Sequence, residues 1–230
     1  MTTVPQGATN SVAQFVRVVM TILEDLFPTV AMPFLDDIGI KGPYTDYDDA
    51  EKLPGIRRFV YEHLINLDKT LDRIERAGAV IGPKSQFCYN GMNVVGFVCG
   101  SGGRGPASTK VLKIVDWQPC ENTTEAKAFL GICVYYRIWI QHFALIAEPI
   151  YRLFKKGKEW FWGTEQQAAM DYLKTVLTTA PLLCKIQYDP SSGWGAIILA
   201  VDASLWGWGA ILGQIDDKNR RRVVRYESGV

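Results

Sequence analysis

The sequence predicts a mixed α+β fold that passes into a helical region and then into a β-rich unit. Three observations lead to this order: apolar residues at helical spacing in the first half, two helix-capping patterns in the second, and three strand-like runs at the end. Of the 230 residues, 48% are apolar and 21% are charged. That balance is typical of a globular protein and excludes a disordered tail.

Two amphipathic helices are predicted in the first half. The first covers about residues 10–27 and ends before Pro28. The second covers about residues 53–77, with Gly78 in place to stop it. Shorter strand-like pieces follow at 79–81, 86–89 and 93–99.

Between these helices, the short apolar run over residues 30–41 predicts a hairpin. Asp36 and Asp37 interrupt the run and would lie at the tip of the hairpin. Aspartate is common in turns, so one interpretation is an ordinary polar turn. The other is a metal site, because adjacent carboxylates are hard ligands suited to two-metal phosphoryl transfer.

The glycine-rich segment over residues 100–106 is interpreted as a tight turn and a domain boundary. It lacks the Gly-Lys-Ser/Thr ending of a phosphate-binding loop, and Pro106 would block a helix opening there. Capping patterns at Asn122 and Thr164 then predict helices over about 123–143 and 165–179. The final strands are predicted at 196–202, 207–214 and 222–226.

Charge and cysteine content exclude several classes of function. The formal net charge is +1, so composition alone does not indicate a nucleic-acid-binding protein. His63 and His142 fall within helical patterns and offer little to a nucleophilic triad.

The five cysteines form no Cys-x-x-Cys pair, which predicts buried thiols in a reducing compartment. With no secretory signal and no apolar run of about 20 residues, the expected location is the cytoplasm or nucleus.

Basic residues are concentrated in two places. Lys155, Lys156 and Lys158 precede Trp160-Phe161-Trp162. Either the aromatic rings stack on bases or, as we expect, the alternating Trp160 and Trp162 fill a small core while the lysines stay in water. The second is an arginine tail, Arg220-Arg221-Arg222 with Arg225, which predicts phosphate contact without base readout.

Several short motifs follow one another along the chain. They are Val4–Ser11, Phe34–Asp37, Ala77–Phe87, Val94–Phe97, Thr124–Ile140, Leu153–Gly157 with Trp162, Leu173-Lys174, Ala180–Leu182, Leu199–Ser204 and Gly207–Ala210. In this order they resemble the Pol polyprotein of gypsy-type LTR retrotransposons, from the second half of the reverse transcriptase palm to the start of RNase H. The resemblance covers nearly the whole chain.

The resemblance implies three parts within the α+β fold. Residues 1–106 would be the C-terminal part of the reverse transcriptase palm, and 107–190 a helical thumb and connection. Residues 191–230 would be the first strands of an incomplete RNase H-like unit. The implied activity of the parent protein is RNA-directed DNA polymerisation followed by hydrolysis of the RNA strand.

The resemblance also assigns site residues. Asp36 and Asp37 would be polymerase metal ligands and Asp202 the first RNase H ligand, with Mg²⁺ or Mn²⁺ as cofactor. The implied partners are an RNA–DNA or DNA duplex, a deoxynucleoside triphosphate and other Pol chains, with no membrane. Residues implied to contact template or substrate are Gln6, Gly7, Phe34, Lys84, Gly96, Lys127 and Arg137.

The resemblance leaves the enzymatic status of these 230 residues open. The family's first palm aspartate, its fingers and most of its RNase H carboxylates are not matched by any residue here. One expectation is therefore a fragment of an RNA-directed DNA polymerase and RNase H. The alternative is a non-catalytic or degenerate remnant that binds nucleic acid.

Overall fold

The computed structural model describes residues 7–188 and 190–229, which divide into two compact units at the bond between Tyr89 and Asn90. Within these residues, the first unit combines two helices with two small hairpins. The second combines four helices with two three-stranded sheets. The predicted α+β fold class is therefore confirmed. Among the described residues, no helix has the length and apolar character needed to cross a bilayer.

The N-terminal unit holds the predicted hairpin between its two helices. Strand β1 pairs antiparallel with β2, and β3 pairs with β4. The elements in chain order are α1 (Ser11–Ile22), β1 (Ala31–Phe34), β2 (Asp37–Ile40), β3 (Glu51–Leu53), β4 (Ile56–Arg57) and α2 (Arg58–Arg76).

Helix α1 is shorter than the sequence predicts, because residues 23–30 form successive turns. The backbone N–H groups of Leu26 and Phe27 both donate to the carbonyl oxygen of Leu23. These turns bury Leu23, Leu26 and Ala31 in one small core, with part of β2 packed against it. Helical spacing of apolar residues continues through the turns, which is why periodicity alone extended the helix.

Helix α2 likewise begins later than predicted. The residues before it form the hairpin of β3 and β4, in which Gly55 takes a positive φ of 74° after Pro54. A Pro-Gly pair is a turn signal, and it outweighs the apolar spacing of Leu53 and Ile56. The end of α2 agrees with the prediction, since Gly78 has a left-handed φ of 70° just beyond Arg76.

The C-terminal unit contains the predicted helices and final strands. Its first sheet has the antiparallel order β5-β6-β7 and its second the order β10-β9-β8. The elements are β5 (Gly91–Val94), β6 (Phe97–Gly100), β7 (Gly103–Pro106), α3 (Ser108–Val115), α4 (Thr123–Tyr135), α5 (Phe143–Tyr151), α6 (Thr164–Thr178), β8 (Ile197–Ser204), β9 (Gly207–Ile215) and β10 (Arg221–Gly229).

Strand β7 lies where the sequence predicts only a turn. Gly103 has a φ of 129°, and a Cβ placed on it would lie 2.2 Å from the carbonyl oxygen of Leu183. The backbones of Arg104 and Leu183 exchange hydrogen bonds of 2.8 and 2.9 Å. The glycines therefore allow two backbones to approach closely, which composition alone cannot distinguish from a turn.

The helices of the C-terminal unit surround one large core. The predicted single helix over 123–143 is instead α4, a 3-10 turn at Arg137–Trp139, and the start of α5. This break allows the bulky residues on both sides to face inward together. The largest fully buried side chains of the core are Ile114, Phe129, Tyr136, Trp139, Ile140, Ile150, Met170, Leu173, Leu177 and Leu183.

Both predicted helix starts carry side-chain caps. The Asn122 side chain accepts a 3.0 Å hydrogen bond from the Glu125 backbone N–H, as the capping pattern predicts. At α6 the cap is shifted by one residue, because the Gln166 side chain accepts a 3.1 Å hydrogen bond from the N–H of Gly163.

The C-terminal sheet packs on the helices by one face. Val223 and Tyr226 of β10 pack against the helical core. Ile197, Leu199 and Val201 point away from it and are exposed. Strand alternation explains why the three alternate residues of β8 share a face, because successive side chains point to opposite faces. On β10, the register shift between Val223 and Arg225 explains why Val223 and Tyr226 both face the core although they are three positions apart.

A buried carboxylate organises the turn between β9 and β10. Asp216 is 4% exposed, and its side chain accepts hydrogen bonds from the N–H groups of Lys218 and Arg220 at 3.0 and 2.8 Å. The Arg220 guanidinium also donates to it at 2.9 Å. Burial alone would raise the pKa of Asp216, but the hydrogen bonds from Arg220 and Lys218 outweigh it, so the pKa lies below its usual value.

Asp216→Asn should therefore destabilise the chain at neutral pH and reduce its further loss of stability in acid. Since the folded-state pKa is depressed, the ionised carboxylate stabilises the fold above about pH 4. That contribution is lost as the pH falls through the folded-state value. Urea unfolding at several pH values between about 3 and 7 measures the difference. Asp217→Asn, at the exposed neighbouring position, is the control. Identical pH profiles for the two variants would contradict the role of Asp216.

Candidate functional site

The two predicted metal-binding carboxylates lie at the tip of the β1–β2 hairpin. Phe34 pairs with Asp37, so Leu35 and Asp36 form a two-residue turn, and Leu35 takes a left-handed φ of 56°. Asp36 and Asp37 are both exposed, and the Phe34 ring is 53% exposed beside them. The hairpin thus presents two carboxylates and an aromatic ring on one short turn.

The donor set at this tip suits a hard cation that shares its ligands with phosphate. Mg²⁺ usually keeps several waters and is held by one or two carboxylates plus substrate phosphates. Within residues 7–188 and 190–229, no three His, Cys, Asp or Glu side chains gather closely enough to hold a metal alone. Two other acids of this unit are engaged in ion pairs, since Asp49 pairs with Arg57 at 2.9 Å and Asp25 pairs with Arg73. Asp36 and Asp37 form no ion pair within the described residues.

The other substrate-binding residues predicted in the N-terminal unit are widely separated in sequence. Gly7 is exposed and has a positive φ of 86°, with nothing within 4 Å of a Cβ placed on it. Lys84 is exposed in the irregular segment after α2. Gln6 lies outside the described residues. The roles predicted for these residues remain predictions.

Gly96 lies in the two-residue turn between β5 and β6, which is fixed to the end of α4. Val95 and Gly96 both have positive φ values, 44° and 86°. The hydroxyl of Tyr135 donates to the Val95 carbonyl oxygen, and the hydroxyl of Tyr136 donates to that of Gly96 at 3.0 Å. A Cβ on Gly96 would lie 3.3 Å from the Tyr135 hydroxyl. Glycine therefore meets both the turn geometry and the close contact.

Phe97 extends this attachment into a cluster of aromatic rings. Its ring stacks on Tyr135 with centroids 4.9 Å apart and planes 7° apart. It also lies 5.3 Å from Trp139 and 5.9 Å from Tyr136. A phenylalanine at this position can contribute only apolar contact, and here it joins the hairpin to the helical core.

Asp202 lines an open cavity of about 230 Å³ on the C-terminal sheet. It pairs across the sheet with Gly209, and both line the cavity together with Gln141, His142 and Glu227. His142 has a left-handed φ of 57°, and its Nδ1 lies 3.9 Å from a Cβ placed on Gly209. The cavity therefore places an imidazole and two carboxylates on one surface.

The sequence did not predict that His142 would line this cavity together with Asp202. A helical pattern surrounds it, and 60 residues separate it from Asp202, so no local spacing connects the two. In the structure it precedes α5, where the chain turns sharply before entering the helix. A non-glycine residue at a left-handed φ is the structural feature that draws attention to this position.

The two predicted duplex-contacting side chains have different environments. Lys127 on α4 is exposed, and its Nζ lies 5.5 Å from the centre of the Phe154 ring. Arg137 forms an ion pair with Glu227 on β10 and so joins the C-terminal sheet to the 3-10 turn after α4. Much of the charge on Arg137 is therefore already balanced within the protein.

The arginine tail is also partly neutralised. Arg220 pairs with Asp216 at 2.9 Å, and Arg225 pairs with Glu227. Arg221 and Arg222 form no ion pair within the described residues. The tail therefore offers less positive charge to a phosphate backbone than its sequence suggests.

The cysteines are free thiols, and most are shielded. Burial raises the pKa of Cys133 to about 12 and also raises those of Cys99, Cys120 and Cys184. A thiolate is the reactive and metal-binding form of cysteine. These four side chains act as apolar packing groups, as the sequence predicts, whereas Cys88 is exposed and the prediction of a buried thiol is wrong there.

Comparison with known proteins gives these observations a family context. Residues 162–230 match the model of the RNase H-like domain found in reverse transcriptase. Residues 162–230 are therefore similar to an RNase H-like domain. The match includes α6, the whole C-terminal sheet and Asp202.

Curated relatives extend the likeness to most of the chain. The transposon Tf2-3 and Tf2-7 polyproteins of Schizosaccharomyces pombe are each 25% identical over 225 residues, or 97% of this chain. The chain spans 15% of the length of these relatives. The likeness confirms the predicted resemblance to a retrotransposon polyprotein that includes reverse transcriptase and RNase H-like parts.

Solved structures show the same fold. The foamy viral protease-reverse transcriptase in complex with double-stranded DNA superposes with a TM-score of 0.75 at 23% identity, covering 98% of this chain and 43% of that one. The same viral protein with an RNA/DNA hybrid gives 0.73 at 24% identity, covering 98% and 28%. At these identities the likeness establishes the fold alone.

Tyr136→Phe should lower the free energy of unfolding by about 1 kcal/mol, because it removes a hydrogen bond from a buried hydroxyl to the β5–β6 turn. Urea denaturation measures the loss. Tyr188→Phe removes a hydroxyl from an exposed ring and should leave stability unchanged. Equal stability of wild type and Tyr136→Phe would show that this hydrogen bond does not hold the hairpin.

Proposed function

We propose that this chain forms part of the RNA-directed DNA polymerase and RNase H of a retrotransposon Pol polyprotein. The observation that carries the proposal is the exposed Asp36–Asp37 pair at the hairpin tip, with Phe34 beside it. The pair lies in a chain whose fold follows that of a reverse transcriptase. Adjacent exposed carboxylates on a rigid turn suit phosphoryl transfer better than they suit packing.

Asp36 and Asp37 would hold Mg²⁺, or the similarly hard Mn²⁺, together with phosphate oxygens of a deoxynucleoside triphosphate. When bound, the cation supplies Lewis-acid stabilisation of the reacting phosphoryl oxygens. The short hairpin holds the two carboxylates at fixed spacing, and the exposed Phe34 ring offers an apolar surface to the end of the primer. Asp202 would serve the RNase H-like region in the same way.

The nucleic-acid partner in this proposal is an RNA–DNA or DNA duplex. The foamy viral structures contain double-stranded DNA and an RNA/DNA hybrid, and exposed Lys127 provides a positive charge on α4 of the present chain. Contact through phosphates would be independent of base sequence. Other Pol chains are further proposed partners. The free cysteines suit the reducing cytoplasm or nucleus as the location.

A second candidate function is nucleic-acid binding without catalysis. One observation favours it: among the described residues, no cluster of three metal-binding side chains is formed. Both candidates predict duplex binding, but only the polymerase candidate predicts a cation at Asp36 and Asp37. A metal-binding experiment therefore separates them.

Mg²⁺ at millimolar concentration should raise the melting temperature of the chain, because a bound cation relieves the repulsion between Asp36 and Asp37. The Asp36→Asn, Asp37→Asn double variant should lose most of this shift. Asp48→Asn, Asp49→Asn also replaces two adjacent exposed acids of the same unit and should keep it. An equal shift in all three proteins would favour the non-catalytic candidate.

Binding to an RNA–DNA duplex should be independent of sequence and should weaken steeply with salt. For four phosphate contacts, the affinity falls about a hundredfold between about 50 and 200 mM salt, as counterions are released. Lys127→Gln should reduce the slope of log affinity against log salt by about 0.9. Lys69→Gln, an exposed lysine on α2, is the matched control. Affinity that does not change with salt would contradict duplex binding of this kind.

A further inference from the structure

The segment before α6 exposes one aromatic ring between two that are partly buried. Trp160 and Trp162 stack with centroids 6.0 Å apart, and both pack against the helical core. The Trp162 indole N–H donates a 2.9 Å hydrogen bond to Gln167. Phe161 points the opposite way and is 73% exposed. The sequence-based expectation that the tryptophans fill a core is confirmed, and the ring left outside is the phenylalanine.

The exposure of Phe161 is imposed by its neighbours. The tryptophans on both sides are held in the core, and Gly163 follows closely, with a Cβ placed on it only 2.8 Å from the Phe161 ring. Burying a phenylalanine would contribute about 1.5–3 kcal/mol. The chain does not gain this contribution at Phe161, because the ring stays exposed. Since the tryptophans on both sides pack against the core, the position of the exposed ring is fixed by its neighbours.

Lysines without an ion-pair partner within the described residues precede this ring in the chain. Lys155, Lys156 and Lys158 are exposed and form no ion pair within the described residues. Lys127 of α4 lies over the ring of Phe154, the residue before Lys155. Arg152 is different, since Glu148 and Glu165 pair with it at 2.7 and 3.0 Å. Three unpaired lysines therefore precede the exposed ring within one short segment, whose acid is Glu159, and a fourth lysine lies over the residue before them.

We propose that Phe161 and the lysines at 127, 155, 156 and 158 form a binding site for single-stranded nucleic acid. The lysines would contact phosphates, and an unpaired base would stack on the ring. A duplex offers the phosphates but keeps its bases stacked on one another, so the exposed ring distinguishes the two partners. An acidic peptide offers the charge without the flat base.

This inference goes beyond the duplex and metal sites proposed above. It requires neither Asp36, Asp37 nor Asp202, and its residues all belong to the C-terminal unit. The test of this site can therefore succeed or fail independently of polymerase activity.

The test measures binding of the full 230-residue chain to a fluorescein-labelled oligothymidylate of about 20 nucleotides by anisotropy, across a series of salt concentrations. Phe161→Ala and Phe161→Leu should both weaken binding at least about fivefold, because neither offers a flat ring. Phe161→Trp should retain it. None of the three should change the salt slope, since no charge is altered.

Replacing the lysines, in contrast, should change the salt dependence of binding. Lys155→Gln, Lys156→Gln should reduce the slope of log affinity against log salt by about 0.7 per lost phosphate contact on a single strand. The matched charge control is Lys110→Gln, Lys113→Gln on α3, and the matched aromatic control is Trp206→Ala, whose ring is 79% exposed in a turn without lysines. Both controls should bind as wild type does.

Any one of the following results would overturn the proposal: no binding of the oligothymidylate by wild type, wild-type affinity in Phe161→Ala, losses in either control as large as in its test variant, or competition by polyglutamate as effective as by unlabelled oligothymidylate. A blunt duplex that binds with the same dependence on Phe161 would also overturn it, because a base within a duplex cannot stack on the ring.

Discussion

The tyrosine pair at the end of α4 fixes the geometry of the C-terminal unit. Tyr135 and Tyr136 donate hydrogen bonds to successive carbonyl oxygens of the β5–β6 turn, while Phe97 from the same hairpin packs among their rings and Trp139. A backbone turn would otherwise leave these carbonyl groups to water. Because Tyr136 and Trp139 also belong to the helical core and Phe97 packs against it, the hairpin is held by a large buried apolar cluster of the described chain.

The same core determines which charges can face a ligand. Its 3-10 turn carries Arg137, which reaches across to Glu227 on β10, while Arg225 pairs with that same carboxylate. Charges in this region therefore stabilise the contact between sheet and helices. The lysines before α6 have no such partners within the described residues. Among the described residues, positive charge without an ion-pair partner thus precedes Phe161 and also lies at Arg221 and Arg222 of the tail.

The sequence predicted element types better than their ends. Helices over 123–143 and 10–27 were each extended through breaks, because apolar spacing continues where tertiary packing turns the chain at Arg137 or at Leu23. Asp36 and Asp37 stand out in the sequence because adjacent acids inside an apolar run are locally unusual, and the structure places them at the tip of the predicted hairpin. The place of His142 beside Asp202 was not predicted, since His142 acquires its neighbours only on folding. The exposure of Phe161 could not be predicted either, because it depends on which way two tryptophans face.

The contact of Gly103 with Leu183 has a consequence for the order in which the chain can fold during synthesis. Strand β7 gains its second partner from a residue 79 positions later, and Cys184, the next residue, donates a 2.8 Å hydrogen bond to Val223 on β10. Such distant pairings form slowly because long loops must close first. On a ribosome, β7 would leave an open edge until α3–α6 had emerged. Strand β7 consists of Gly103, Arg104, Gly105 and Pro106 and so carries no large apolar side chain. While its edge is open, it is therefore a poor template for pairing with another chain.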